Sequence, residues 1–412
     1  MDLPPQRSAG LARLQEFLPH AAAYARTRNE DRGPEDRSNV SLLSPYLRHR
    51  LLSEAEVCAA VLARFPHARV EKFVQEVVWR TYWKGWLEMR PQVWADYLDA
   101  RDRDARDWED HDSYRRALDG ETGIGCFDAW VAELRRHHYL HNHARMWFAS
   151  IWIFTLRLPW TLGADLFLRE LYDGDAASNT LGWRWVAGLQ TPGKHYLARA
   201  ENIRRYTRGR FHPADQLVED APTPSGVERP ARTDLPLPPA PPPLAGNPRR
   251  GLLLTTDDLG LGRLLAHGAA AAPWTAVAGA RPEEREEGSR VPEVAAVREY
   301  RRQALADALP ASGPATDHLG PARPEDAVAW AQRARLEEIW LPYAPVGPTA
   351  PGVAGIREAL REAGYRVVPF CRQWDRLLWP HARAGFFRFR QSIEPLLDEA
   401  IATEEEAFAA AP

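Results

Sequence analysis

The run Leu235-Pro236-Leu237-Pro238-Pro239-Ala240-Pro241-Pro242-Pro243 lies at the centre of a Pro- and Ala-rich stretch from Ala221 to Arg250. Proline fixes φ and lacks an amide donor, so this stretch forms neither a helix nor a central strand. It reads as a linker between residues 1–220 and 251–412. On its N-terminal side apolar residues recur with helical period: Phe127, Trp130, Val131 and Leu134 fall at i, i+3, i+4 and i+7, and Phe73, Val74, Val77 and Val78 form a second stripe. That region is predicted to be all-α. On its C-terminal side short apolar runs (Leu252–Leu254, Trp274–Val277, Glu338–Leu341, Tyr365–Val368) alternate with helix-like stretches (Val297–Leu309, Pro324–Leu336, Gly355–Ala363). The alternation predicts a parallel, Rossmann-like α/β sheet, so the fold class is multi-domain, a helical domain followed by an α/β domain. Gly260 and Gly262 suggest a dinucleotide loop, but the third glycine is missing and a tight turn accounts for them equally well.

A chain of 412 residues is long enough for two cores. Its formal net charge of -3 excludes a histone-like polycation and leaves only local basic patches for nucleic acid. Cys58, Cys126 and Cys371 have no CxxC spacing, which suggests neither a disulfide framework nor a zinc site, and three thiols cannot hold a four-cysteine iron–sulfur cluster. The N-terminus lacks a positive-then-apolar signal pattern, and the apolar stretch Met146 to Leu156 is too short to cross a bilayer, so the expectation is a cytoplasmic protein with no membrane partner. Of 16 tryptophans, eleven lie between Trp79 and Trp185, which indicates a large aromatic core.

Four segments carry chemistry. Ser41-Leu42-Leu43-Ser44-Pro45-Tyr46-Leu47 is a hydroxyl-rich turn entering a helix, able to hold a phosphate or simply to cap. Glu76-Val77-Val78-Trp79-Arg80 sets an acid and an indole three residues apart on one helical face. His141-Asn142-His143-Ala144-Arg145-Met146 places Asn142 and Met146 one turn apart. Four histidines (His137, His138, His141, His143) crowd here, but carboxylates at ligand spacing are absent and no metal site is expected. Asp173-Gly174-Asp175-Ala176-Ala177-Ser178-Asn179-Thr180-Leu181-Gly182-Trp183-Arg184-Trp185 joins two acids, an amide and two indoles.

Taken in order and with Gly120-Glu121-Thr122-Gly123 between the second and third, these segments resemble the FAD-binding helical domain of the photolyase/cryptochrome family over about Tyr24 to Phe211. The chain departs from the family at Ile124-Gly125, where a Tyr-Pro pair is usual, and again over Gly193 to Asn202. Domain order is reversed, since the family usually begins with an α/β antenna domain; the C-terminal half resembles that domain loosely, and any second antenna chromophore is unknown.

The resemblance implies a non-covalent FAD. Ser41, Leu42, Leu43 and Ser44 would hold its phosphates with Tyr24 and Arg80 nearby, Arg145 and Asp173 would pair beside the flavin ring, Asp175 would meet the ribose or ring edge, Asn179 would sit by N5, and Asn142 would border the site. Glu76, Trp79, Asn142, Met146 and Trp185 match a pocket for cyclobutane pyrimidine dimers in UV-damaged DNA; histidines at Asn142 and Met146 would instead suit six-four photoproducts. Trp183, Trp160 and Trp108 match a chain of indoles that passes electrons from the surface to the excited flavin. Lys194, Arg199, Arg204 and Arg205 belong to a run of six basic residues up to Arg210 that suits DNA phosphates. The activity expected is blue-light repair of such dimers by a carbon–carbon lyase. The alternative is a cryptochrome-like photoreceptor that signals to a protein partner without repair.

Overall fold

The computed structural model describes residues 2–409 apart from 192, 223, 225, 226, 243, 245, 267–273, 283–293, 311–314 and 321. Both apolar stripes become helices. Phe73, Val74, Val77 and Val78 are buried along one side of the helix His67–Glu88, and Phe127, Trp130, Val131 and Leu134 are buried in Gly125–His137. Four further helices surround the candidate site: Gln92–Trp108, Asn142–Ser150, Trp160–Glu170 and Ala176–Val186. The apolar stretch beginning at Met146 ends in a π-helical turn, Ile151–Thr155. No helix among the described residues is long and apolar enough to cross a membrane.

The second half builds a five-stranded sheet from β1 (Arg250–Thr255), β2 (Ala276–Ala280), β3 (Ala315–Gly320), β4 (Glu338–Pro342) and β5 (Arg366–Phe370). Every pairing is parallel, in the order β3-β2-β1-β4-β5. Central strands β1, β2 and β4 are buried along their whole length, which is why they read as continuous apolar runs. The edge strand β3 has no buried residue and its sequence, Ala315-Thr316-Asp317-His318-Leu319-Gly320, is largely polar, so no apolar run marks it. Helices Ala295–Ala308, Pro324–Arg333 and Thr349–Glu362 supply the crossovers. A last helix, Phe386–Ala409, lies along His67–Glu88, where Tyr82 Oη donates to Ala384 O at 2.9 Å and Arg390 pairs with Glu71 at 2.6 Å.

Residues 227–242 of the proline-rich stretch form neither helix nor strand, and Thr233 N donates to Met89 O (2.9 Å) and Arg376 Nη1 to Pro238 O (2.6 Å). Pro243 lies outside the described residues.

In a sheet of this order the strand sequence reverses between β1 and β4, and the crevice beyond their carboxyl ends is the usual ligand position. Here residues of the helical half fill it. Arg48 Nη1 donates to Asp257 Oδ1 at 2.9 Å, His49 Nδ1 bonds Thr256 O at 2.9 Å, and Leu259 N donates to His49 O at 2.9 Å. Burial, with Arg48 and Arg301 beside it, holds the His49 imidazole well below its usual pKa, so it stays neutral. Arg50 donates to both oxygens of Asp375 (2.8 and 2.6 Å) and pairs with Glu54 at 3.4 Å, while Arg372 donates to both oxygens of Asp258 (2.5 and 2.6 Å). Gly260 serves this contact: a Cβ there would lie 2.6 Å from Arg50 O. Close approach of the two halves accounts for that glycine without a dinucleotide.

Glu88, in the last turn of His67–Glu88, accepts from Tyr343 Oη (2.6 Å) and Val346 N (2.5 Å) in the loop after β4. Burial is the main influence on its carboxyl and pushes it up to about 7.

Two measurements follow from this junction. Arg50→Ala leaves Asp375 and Glu54 buried without their cation, and a loss of about 3–5 kcal/mol in urea unfolding is expected; a loss below about 1 kcal/mol, the scale of an exposed pair, would contradict the arrangement. Glu88 binds its proton more tightly folded than unfolded, so its contribution is present below pH 4.5 and declines as pH rises through about 7. Urea midpoints of the native chain should fall across that window, and those of Glu88→Gln should fall less; parallel curves would refute the assignment.

Candidate functional site

Asp175 ends the turn before Ala176–Val186 and caps that helix by accepting from Ser178 N at 2.8 Å. Its other oxygen faces Lys84 Nζ (3.8 Å), Arg80 Nη2 (3.7 Å) and Arg48 Nε (3.9 Å). Burial alone would raise this carboxyl, but the three cations hold it far below the usual carboxylate range. Lys84 in turn has its pKa lowered by burial. Arg48 is shared with Asp257, and Arg80 leaves Nε and Nη2 buried with no hydrogen-bond partner among the described residues. The gap between Arg48, Lys84, Asp175 and the loop Pro345–Thr349 encloses about 10 Å³, room for one water.

Beside this centre Arg145 Nη2 donates to Asp173 Oδ2 at 2.9 Å, while Asp173 Oδ1 is buried and unbonded. Asn179 Nδ2 donates to Ala164 O at 2.7 Å. Ser178 Oγ and Thr180 Oγ1 are also buried without partners. Ser41 Oγ accepts from Leu43 N at 3.4 Å, and Leu42 stands at φ 56° in a turn that closes on itself before the short helix Ser44–Arg48. Tyr24 packs edge-on against Phe17 and Phe73, and burial with Glu76 nearby raises its phenol.

The positions expected to take a damaged base pair divide. Glu76 pairs with Arg28 at 2.5 Å, and burial raises its carboxyl in spite of that cation. The residue after Arg28, Asn29, offers its carbonyl to His143 Nδ1 (2.9 Å); His143 stacks on Trp147 and its Nε2 lies 3.4 Å from Tyr196 Oη. Tyr196 stacks under Trp185 at 5.7 Å, and Trp185 is 37% exposed. Asn142 is exposed at the start of its helix, with Met146 half-buried one turn on. This chain of contacts links Glu76 to Trp185 through His143, the residue after Asn142. Trp79 stands apart from it, stacked face to face on Phe386 of the last helix, with centroids 3.4 Å apart and planes at 9°.

Trp183, Trp160 and Trp108 stand on three helices that pack on one another. Trp183 is buried against Phe148, Trp152 and Phe167. Trp160 meets Tyr97, and Trp108 meets His111. Of the basic run, Arg204 pairs with Glu201 at 2.6 Å, Arg199 donates to Glu219 O, Arg205 lies over the Tyr206 ring, and Lys194 is exposed. Of the four crowded histidines, His138 bonds Glu170 O, and His141 is buried and caps the helix that follows it by accepting from His143 N. Arg28, Tyr196 and Phe386 escaped the sequence reading, and His143 was singled out there only as one of four crowded histidines.

The unbonded donors of Arg80, the hydroxyls of Ser178 and Thr180 and the free oxygen of Asp173 fit a phosphate- and carbonyl-bearing cofactor such as FAD. Residues 73–215 match the family model described as the FAD binding domain of DNA photolyase. The chain is 34% identical to deoxyribodipyrimidine photo-lyase of Streptomyces griseus over 40% of its own length and 38% of that protein's. Against an enzyme of the same name from Thermus thermophilus it is 33% identical, over 47% and 45% of the two chains. Among solved structures, a bacterial class III photolyase from Agrobacterium tumefaciens aligns at 28% identity and TM-score 0.42, covering 49% of this chain and 42% of that one. The chain thus spans less than half the length of these relatives. Its helical half contains, over residues 73–215, an FAD-binding domain of the DNA photolyase kind, with FAD as its cofactor.

Proposed function

We propose that this chain repairs cyclobutane pyrimidine dimers in UV-damaged DNA under blue light, as a cytoplasmic carbon–carbon lyase of two domains, 1–220 and 251–412, joined by residues 221–250. The observation that carries the reading is the contact chain from Glu76 through Arg28, His143 and Tyr196 to Trp185. It ties a carboxyl with a raised pKa to a partly exposed indole, and the exposed Asn142 precedes His143 of that chain in sequence, which supports reading them as one pocket rim. Bound FAD supplies light-driven single-electron chemistry. Trp185 offers a stacking face to a flipped base, and Asn142 offers both a donor and an acceptor to its polar edge. Glu76, while protonated, donates a hydrogen bond to a base carbonyl that gains negative charge. Arg145 and Asp173 hold each other in place, and Asn179 is fixed through Ala164 O. Arg80 keeps its unbonded donors for the cofactor. Lys194, Arg199, Arg204 and Arg205 would meet the strand's phosphates.

One observation favours the second reading, a photoreceptor that signals to a protein partner. Phe386 covers the Trp79 face that a damaged base would use, so the last helix is placed to respond to changes at the pocket wall.

The test is blue-light repair of a dimer-containing oligonucleotide by the photoreduced chain, with a dark control and Glu76→Ala alongside. Light-dependent repair that the variant lowers far more than it lowers FAD binding is expected; FAD that is bound and photoreduced with no repair establishes the receptor reading instead. Because the folded state raises the Glu76 pKa, repair should weaken as pH rises through the shifted value, and Glu76→Gln, a donor that does not titrate, should flatten that profile.

A further inference from the structure

Trp183 and Trp152 lean on the same glycine. A Cβ on Gly163 would fall 2.3 Å from Trp183 Cη2 and 3.0 Å from Trp152 Nε1, so the bare backbone at this turn admits both indoles. Their ring centroids are 6.3 Å apart at 86°. Beyond Trp152 lies Tyr114, 6.0 Å away at 90°. Trp152 is wholly buried, and its Nε1 donates to Pro159 O at 2.8 Å, a bond that fixes the ring and that phenylalanine could not make. It also sits in the π-helical turn Ile151–Thr155, a rare conformation found mostly at functional positions. Tyr114, on the helix Asp112–Asp119, is half-buried and reaches solvent.

We infer that Trp152 and Tyr114 form a branch of the electron path that leaves Trp183 for the surface, separate from Trp160 and Trp108. The inference deepens, and rests on, the photochemical reading above. A one-electron vacancy on Trp183, such as a photoexcited oxidised flavin would leave by taking an electron from it, is filled by one electron from Trp152. That vacancy is filled in turn by one electron from Tyr114. Tyr114 ends oxidised by one electron and releases its phenolic proton to water, so each event delivers one electron inward and one proton outward. Loss of that proton makes the reverse transfer slow, which gives the branch a purpose beyond packing.

The full-length chain is compared with Tyr114→Phe, Trp152→Phe and Trp160→Phe by two readouts. The first needs no flavin: tryptophan is oxidised by azide radicals in a pulse, and transient absorption follows tryptophanyl decay and tyrosyl growth. An intramolecular component, independent of protein concentration, is expected in the native chain and in Trp160→Phe and is lost in the other two. The second is electron paramagnetic resonance of the FAD-loaded chain after a flash, where a tyrosyl signal is expected and is lost in the same two variants. Persistence of either signal in Tyr114→Phe, a conservative change at a half-buried site, overturns the branch, as does absence of the first from the native chain. A native chain whose bound FAD is not photoreduced overturns the photochemical reading instead, and the flavin-free readout still decides whether Trp152 passes an electron from Tyr114.

Discussion

Buried charge must be paired, and the arrangement of this molecule follows from how three consecutive basic residues meet that requirement. Arg48, His49 and Arg50 leave the end of the short helix Ser44–Arg48 and enter the crevice at the carboxyl ends of β1 and β4. Arg50 has its carboxylates on both sides of the junction, Glu54 from the helical half and Asp375 from beyond the sheet. Arg48 spans the same gap, held to Gly174 O and to Asp257. The position where such a sheet usually takes a ligand is therefore closed by protein, and the loops that close it also complete the wall around Asp175. Pairs of this kind add specificity more surely than stability, because desolvation offsets much of their attraction. Their effect here is to fix the register between sheet and helices, so that Lys84, Arg80 and Arg48 converge on one carboxylate.

That convergence has a chemical consequence. A carboxylate held far below its usual range stays ionised at any working pH, and beside it Arg80 keeps two buried donors that no described residue takes. Such a place is suited to an anionic cofactor. The His49 imidazole is buried where protonation is disfavoured, so the positive charge of this region comes from arginine and lysine, while Glu88 on the same gap is the group whose charge changes as pH rises through about 7.

The fold was legible wherever burial on one side or both imposed a period. Phe73 to Val78 and Phe127 to Leu134 announced their helices, and β1 and β4 announced themselves as apolar runs because both faces are covered. The strand β3 was not legible, since an edge strand with solvent on it needs no apolar residues. The helix Phe386–Ala409 was missed too; Pro395 within it argues locally against a helix, and its packing on His67–Glu88 is a contact about 300 residues apart in sequence that no local pattern records. In the site, the pair Arg145–Asp173 could be expected from motif order, whereas Arg28 beside Glu76, Tyr196 beneath Trp185 and Phe386 over Trp79 depend on tertiary packing alone. Gly260 shows the opposite error, in which a glycine pattern suggestive of nucleotide binding serves the approach of one backbone to another.

The most direct test of Arg80, with its unbonded donors, as a residue that holds the flavin is equilibrium titration of FAD into the purified full-length chain stripped of bound nucleotide. Flavin fluorescence follows the uptake, for the native protein and for Arg80→Ala. Saturable uptake of one FAD per chain, weakened at least about tenfold, or about 1.4 kcal/mol, in Arg80→Ala while the variant keeps its native circular dichroism, is the predicted result. Uptake that is unchanged by the loss of Arg80, or a native chain that takes up no FAD, would contradict it.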